Sequence, residues 1–254
     1  MTDTALDLGA PVVVAAQFRG PPSSGNGGYV GGLLAGRLGS PVVTAVLRAP
    51  VGIDTPLRIL AEGGGVRLAS PAGDLIAEAR PGDPADLPTP PAPPSLQAAI
   101  LAGERYVGLT HNRHPVCFTC SPDLDVGYGL RMFVGQVEGE PAGVMAGPWT
   151  PHANFAGADG LTPIEVVWAA LDCPGSFAWL ERGWPGGLLG TMTCEVRRRP
   201  RTGEACIVTA WPIEASGRKS VAGTALFSAD GELMARSRQI WISHAGAVSR
   251  AQQG

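Results

Sequence analysis

The segment SSGNGGYVGGLLAG, residues 23–36, combines closely spaced glycines with an apolar run. This pattern predicts a helix that begins near Gly27 and ends before Gly39. The first N–H groups of a helix have no partner inside it and lie at the positive end of its dipole. Glycines there leave the backbone bare, so we expect Gly27 and Gly28 to polarise a bound carbonyl. Close packing of the helix is the alternative.

Glycine-rich segments after a strand also bind dinucleotides, but the surroundings of this segment do not fit that function. Six residues, RGPPSS, separate Phe18, the end of the predicted strand, from Gly25. A dinucleotide-binding turn follows its strand directly, and an acidic residue ends a second strand about 20 residues later. This chain lacks that residue and the alternation of strands and helices.

A second group of candidate residues lies in HNRHPVCFTC, where histidines and cysteines recur at steps of three: His111, His114, Cys117 and Cys120. The Cys-x-x-Cys spacing is typical of zinc ligands. Two consecutive steps of three are short for wrapping one ion, and Pro115 stiffens the middle. The pattern therefore leaves two interpretations open, a zinc site and a loop with buried thiols.

Composition limits the classes of function. The 254 residues are 44% hydrophobic and carry a formal net charge of −3, so no bulk positive field attracts nucleic acid. The apolar run at residues 12–16 is too short for a signal segment or a membrane span. Five scattered cysteines do not indicate a disulfide framework. We expect a cytoplasmic protein with no nucleic-acid or membrane partner.

The two halves of the chain resemble each other. SPAGDLIAEAR, residues 70–80, aligns without a gap with SADGELMARSR, residues 228–238, and five of the eleven positions are identical. VLRAP, residues 46–50, also resembles VRRRP, residues 196–200. Both longer segments predict a strand, a glycine turn and a strand. Repeats at corresponding places indicate an internal duplication.

Each half places one helix before a run of strands. The strands are expected near 42–49, 56–62, 65–70 and 74–80, and again near 187–199, 204–213, 219–228 and 232–243. This order predicts an α+β double hotdog, in which each of two units wraps a curved antiparallel sheet around a helix. The predicted segments are a first unit (1–80), a Pro-rich connecting segment (81–124) and a second unit (125–254).

The second helix has its own start signal. Thr162 is expected as the N-cap, with Pro163 at the first helical position and Glu165 completing a capping box. Pro174 is expected to kink or interrupt this helix, because proline removes a hydrogen bond and clashes with the preceding turn.

The sequence resembles the bacterial acyl-CoA thioesterase II family of double-hotdog proteins and the broader thioesterase-like superfamily. The matching text is GGYVGGLL (27–34), RRP (198–200) and DGELMARSRQ (230–239). The resemblance implies hydrolysis of acyl-CoA or a related thioester at one site between the two units, without a cofactor. It places Gln239 where the family has a glutamine that positions the attacking water. A homodimer is a further expectation.

The resemblance leaves the position of the catalytic base open. The family's aspartate corresponds to Met192, which cannot activate water. We expect Thr193, beside it, to hold the water together with Gln239. Asp172 on the second helix is the candidate substitute base, and capping of the helix break is its alternative role.

Four further residues are candidates for binding the substrate. Asn26 and Tyr29 flank the glycine pair, Ser216 is the nearest match to a family hydroxyl, and Arg198 lies in the basic run RRRPR. That run suits the phosphates of coenzyme A. Absence of the family aspartate also leaves open a protein that binds acyl thioesters without hydrolysing them.

Overall fold

A computed structural model describes residues 6–110 and 114–243. The helices of this part are α1 (Gly27–Leu38), α2 (Leu96–Gly103) and α3 (Ile164–Leu180). The strands are β1 (Leu6–Asp7), β2 (Val12–Val13), β3 (Val42–Leu47), β4 (Pro56–Glu62), β5 (Gly65–Ala69), β6 (Leu75–Pro81), β7 (Gly135–Gln136), β8 (Met145–Trp149), β9 (Gly187–Val196), β10 (Cys206–Ser216), β11 (Lys219–Ser228) and β12 (Leu233–Ser243). None of the described helices is long and apolar enough to cross a membrane.

One antiparallel sheet runs through both halves of the chain. Its strand order is β1-β4-β5-β6-β3-β9-β12-β11-β10-β8-β7, and β2 pairs with β4. The halves meet at β3 and β9, where Val42 pairs with Glu195 and Thr44 with Thr193. The division at residues 80/81 and 124/125 stays a prediction, since the sheet itself is continuous.

Helices α1 and α3 pack against each other in opposite directions on the inner face of this sheet. Gly28, early in α1, lies beside Trp168 and Asp172, whereas Gly32 lies beside Glu165 at the start of α3. A Cβ at Gly28 would lie 2.6 Å from the Trp168 carbonyl oxygen, and one at Gly32 would overlap with the Cα of Glu165. The glycines of α1 therefore let the two helices approach closely.

The two glycine turns of the repeat have the same geometry. Gly73 donates its N–H to the Ser70 carbonyl at 2.9 Å, and Gly231 donates to the Ser228 carbonyl at 3.0 Å. Both glycines have positive φ, +94° and +86°, which side chains disfavour. The predicted hairpin repeat therefore matches the structure.

The shorter alignment of the repeat is wrong by one residue. The Ile76 carbonyl accepts from the N–H groups of residues 48 and 49, and the Met234 carbonyl accepts from those of residues 197 and 198. Arg48 therefore corresponds to Arg197 and not to Arg198.

The start of α3 differs from the prediction. Pro163 is the N-cap, and no side chain caps this helix. Thr162 donates its N–H to the Pro200 carbonyl at 2.8 Å, which ties it to the segment that follows β9, and its hydroxyl is buried without a partner. The expected capping box is therefore wrong. The expected interruption is wrong too, because α3 continues through Pro174 with most of its residues buried.

The connecting segment lies on the outer face of the sheet. Gly82 packs against Val42, Thr44 and Thr193, and the Pro88 carbonyl accepts from Arg236. Further along, α2 covers a second apolar core on this face, formed by Ala99, Ala102, Val137, Ala146, Ile207, Trp211, Ala225 and Phe227. The inner face is thereby left to α1 and α3.

Candidate active site

The carboxylate of Asp172 lies against the N-terminus of α1. Its Oδ2 accepts the N–H of Gly28 at 3.1 Å, while its Oδ1 is buried without a hydrogen-bond partner. The residue is 3% exposed. Burial raises the pKa of Asp172 to about 7, although the Gly28 N–H and the Asn26 side chain oppose that shift. A buried carboxyl with one free oxygen at a helix N-terminus has the chemistry of a general base.

Asn26 connects the N-terminus of α1 to α3. As the N-cap, its Oδ1 accepts the N–H of Tyr29 at 2.9 Å. Its amide group donates to the Thr119 hydroxyl at 3.2 Å, and that hydroxyl donates to the Ala169 carbonyl at 2.9 Å. Since Ala169 is on α3, this chain of bonds holds the start of α1 next to Asp172.

Gln239 binds the same turn of α3 from the sheet. Its Nε2 donates to the Leu171 carbonyl at 2.5 Å and lies 3.2 Å from the hydroxyls of both Thr224 and Ser237. Its Oε1 accepts from Trp241 at 2.9 Å. Gln239 is fully buried, and Gly175 leaves the space that its side chain occupies. Gln239 and the N-terminus of α1 therefore hold two consecutive residues, Leu171 and Asp172.

Thr224 is a site residue that the sequence reasoning missed. Its hydroxyl bonds to the Ser237 hydroxyl at 2.7 Å across β11 and β12, and both hydroxyls contact the Gln239 amide nitrogen. The strand pairing could have identified it. Thr224 lies on β11 two residues after Ala222, which pairs with Gln239. Alternate residues of a strand share a face.

The structure does not bring Thr193 to Gln239. Gln239 pairs with Met192 across β9 and β12, and Thr193 pairs with Arg238. Directly paired residues share a face, so Thr193 and Gln239 point to opposite sides of the sheet. The Thr193 hydroxyl instead bonds to Thr44 at 2.9 Å under the connecting segment. The expected pairing of Thr193 and Gln239 around a water is therefore wrong.

Two predicted substrate-binding residues lie away from Asp172. Ser216 is the exposed last residue of β10, next to the hairpin turn that leads into β11. Arg198 forms ion pairs with Glu204 and Glu232, each at 2.8 Å, and these bonds raise the pKa of its guanidinium. Arg198 follows the end of β9 that is opposite to Leu189, the neighbour of Gly27.

Tyr29 belongs to an aromatic core. It is 8% exposed and stacks on Phe18 with ring centroids 4.2 Å apart. Burial raises the pKa of its hydroxyl. Phe118 contacts both rings edge-on. We assign Tyr29 to the packing that supports α1.

The predicted zinc ligands are only partly brought together. His111 lies outside the described residues, and His114 is exposed in a groove of about 220 Å³ that Tyr106 and Phe177 also line. Cys117 and Cys120 converge with Cys173 of α3, and the three sulfurs lie within 4.8 Å of one another. Cys173 was missed because it is distant in the sequence.

Comparison with known proteins identifies the fold. No protein-family model matches the chain, and no curated protein matches it in sequence. A solved structure from Novosphingobium aromaticivorans, proposed to be a thioesterase, is similar over 95% of this chain and 98% of its own, with 14% identity and a TM-score of 0.60. The chain is a double hotdog.

Two further structures agree with this fold. One is a proposed thioesterase II from Thermobifida fusca, which is 16% identical, covers 96% of this chain and 97% of its own, and has a TM-score of 0.57. The other is a protein of unknown function from Alicyclobacillus acidocaldarius, described with a hot dog fold. It is 13% identical, covers 95% of this chain and 96% of its own, and has a TM-score of 0.57. At sequence identities this low, the structural similarity supports the fold alone, and function has to be argued from the site.

Proposed function

We propose that this double hotdog hydrolyses acyl-CoA or a related acyl thioester, with Asp172 as the general base. The observation that carries the proposal is the buried Asp172 carboxylate, which the Gly28 N–H holds by one oxygen while the other has no partner. The free oxygen would take a proton from water as the water oxygen bonds to the thioester carbon. The C–S bond then breaks, and the leaving thiolate takes up the proton.

The residues around Asp172 have distinct proposed roles. The Gly28 N–H already donates to Asp172, so its role is to position the base, and the neighbouring Gly27 N–H is proposed to polarise the carbonyl. Gln239 is proposed as a positioning residue that acts through the Leu171 carbonyl. This assignment differs from the expected contact of Gln239 with the attacking water.

Thiol release from a panel of short, medium and aromatic acyl-CoAs tests the proposal. We expect turnover by the wild type and a loss of about 100-fold or more in Asp172→Asn, the range for removing a general base. Asparagine keeps the shape and an oxygen for the Gly28 N–H. The matched control is Asp159→Asn, which changes an exposed carboxylate that pairs with Arg199. A wild type that is inactive on the whole panel, or an Asp172→Asn variant as active as the control, would contradict the proposal.

A second candidate function is binding of an acyl thioester without hydrolysis. The observation that favours it is that Gln239 uses both its amide nitrogen and its amide oxygen within the protein. Calorimetry with the same acyl-CoAs distinguishes the two functions. Tight binding without thiol release would select the binding protein.

We also propose that the protein works in the cytoplasm as a homodimer. The β3–β9 pairing already joins the two halves, so a second copy would pair at one of the edge strands of the described sheet, β1 or β7. Light scattering tests this proposal, and a mass near 26.1 kDa at all concentrations would contradict it.

A further inference from the structure

Three of the five cysteines meet in one place beside the two central helices. Cys117 and Cys120 come from the Cys-x-x-Cys turn at residues 117–120, and Cys173 comes from α3, more than fifty residues later. The Sγ atoms of Cys117 and Cys173 lie 3.6 Å apart. Among the described residues, the donor atoms that converge here are sulfurs alone, since this group includes no histidine or carboxylate.

The distances between these sulfurs suit one shared cation. Zinc binds thiolates at about 2.3 Å with tetrahedral angles, which places neighbouring sulfurs about 3.8 Å apart. The 3.6 Å between Cys117 and Cys173 is close to such an edge, and the third sulfur lies within 4.8 Å of both. Sulfur-only sites select soft cations over magnesium and calcium.

The surrounding structure holds the three thiols in place. The Tyr106 hydroxyl donates to the Cys120 carbonyl at 2.9 Å, and its ring stacks on Phe133 and meets Phe177 edge-on. The Thr119 hydroxyl, between the two cysteines, donates to the Ala169 carbonyl of α3. The Cys-x-x-Cys turn is therefore fixed directly to the helix that carries the third thiol.

Burial of this cluster differs between its members. Cys117 and Cys120 are 3% and 1% exposed, whereas Cys173 is only partly buried. Buried thiolates are stable only when a cation compensates their charge, and a cation could reach them past Cys173. Cys173 precedes Phe177 by one helical turn, and Phe177 lines the groove of about 220 Å³. A water or another small ligand in that direction would complete a tetrahedral site.

We propose that Cys117, Cys120 and Cys173 form a site for one thiophilic cation, Zn²⁺ in the first place. This site differs from the expected one, because Cys173 replaces the histidines. Cys173 directly follows Asp172 in α3. The test measures metal binding alone, so its failure and a failure of thioester hydrolysis are distinguishable.

The test is a titration of the freshly reduced full-length protein with Zn²⁺ against a chromophoric chelator, together with Co²⁺ as a spectroscopic probe. We expect one equivalent per chain and sulfur-to-cobalt charge-transfer absorption. Cys173→Ser should weaken zinc binding more than about 100-fold, beyond the effect of changes around the ligands. Cys206→Ser is the matched control, since Cys206 is a buried thiol outside the cluster, and it should bind like the wild type.

Alkylation mapping of the wild type keeps the proposal testable if Cys173→Ser fails to fold. When the folded protein is alkylated over a time course with and without Zn²⁺, we expect Zn²⁺ to slow modification of the three cysteines as a set and to leave Cys194 and Cys206 unchanged. Four results would overturn the proposal: no binding by the wild type, full binding by Cys173→Ser, loss of binding in Cys206→Ser, or protection that omits one of the three. A Cys117–Cys173 disulfide that forms in air at the same rate with and without Zn²⁺ would also overturn it.

Discussion

The N-termini of α1 and α3 occupy corresponding places in the two hotdog units, yet they are built differently. In α1, Asn26 caps the helix with its side chain and Gly28 donates to Asp172. In α3, the N-cap is Pro163, which makes no side-chain bond, and the preceding Thr162 hydroxyl has no partner. One terminus is organised by hydrogen bonds and the other by packing.

The residues that face the two helix N-termini also differ between the halves of the chain. Counted from the two N-caps, the position of Asp172 in α3 corresponds to Ala35 in α1. In the repeat, Gln239 of β12 corresponds to Pro81 of β6, which has no amide to donate. The polar groups have therefore been kept, or acquired, at one of two equivalent places. In the part of the chain that the structure describes, these polar groups make one candidate active site.

The largest expected effects come from filling the space between α1 and α3. Gly28→Ala and Gly32→Ala each place a Cβ against the backbone of α3, so we expect each to cost about 3 kcal/mol or more of unfolding free energy. Gly36→Ala is the matched control in the same helix, because a Cβ there meets nothing within 4 Å. It should stabilise the protein by up to about 1 kcal/mol through helix propensity. Urea unfolding measures all three variants.

Equal stability of the three alanine variants would contradict the close contact of the helices. A large loss for Gly32→Ala with none for Gly28→Ala would show that only the start of α3 depends on close packing. That result would sharpen the difference between the two termini.

The next largest loss of stability should come from changing Gln239, which stands on β12 where β6 has Pro81. Gln239→Ala leaves the Trp241 N–H and the Thr224 hydroxyl with fewer partners in a buried site, so we expect a loss of about 2–3 kcal/mol. Arg238→Ala, the adjacent control, removes a partly exposed ion pair with Glu214 and should cost less than about 1 kcal/mol. Similar losses in urea unfolding would mean that the Gln239 network does not stabilise the fold.

Local signals in the sequence predicted much of this fold. The bounds of α1 follow from the glycines and Gly39, and the hairpin repeat follows from identical turn residues. The candidate site was harder to predict, because it depends on contacts between segments that are distant in the sequence. Asp172 was recognised only as a candidate, and nothing local indicates that it meets Gly28 or that Cys173 meets Cys117. Thr193 was misplaced because sequence adjacency on a strand means opposite faces. Thr162 resembles a cap, but its bond to Pro200 holds it outside that role.

The two helix caps offer a direct test of the comparison. Asn26→Ala removes the cap of α1 and its bond to Thr119, and we expect a loss of about 1–2 kcal/mol. Thr162→Val removes a buried hydroxyl that has no partner, so it should be neutral or slightly stabilising. Thermal unfolding of both variants measures the difference. A larger loss for Thr162→Val would mean that the terminus of α3 depends on a polar contact after all.

The last expected effect concerns the outer face, where Thr193 of β9 meets Thr44 of β3. Thr193→Val removes one hydrogen bond to Thr44 under the connecting segment and keeps the shape of the side chain, so we expect a loss of about 1 kcal/mol. Since Thr193 faces away from Gln239, hydrolysis of any acyl-CoA that the wild type accepts should be unchanged. The same preparation gives both values, by urea unfolding and thiol release. A fall in turnover without a matching loss of stability would place part of the chemistry on the outer face and remove the distinction between the sides of the sheet.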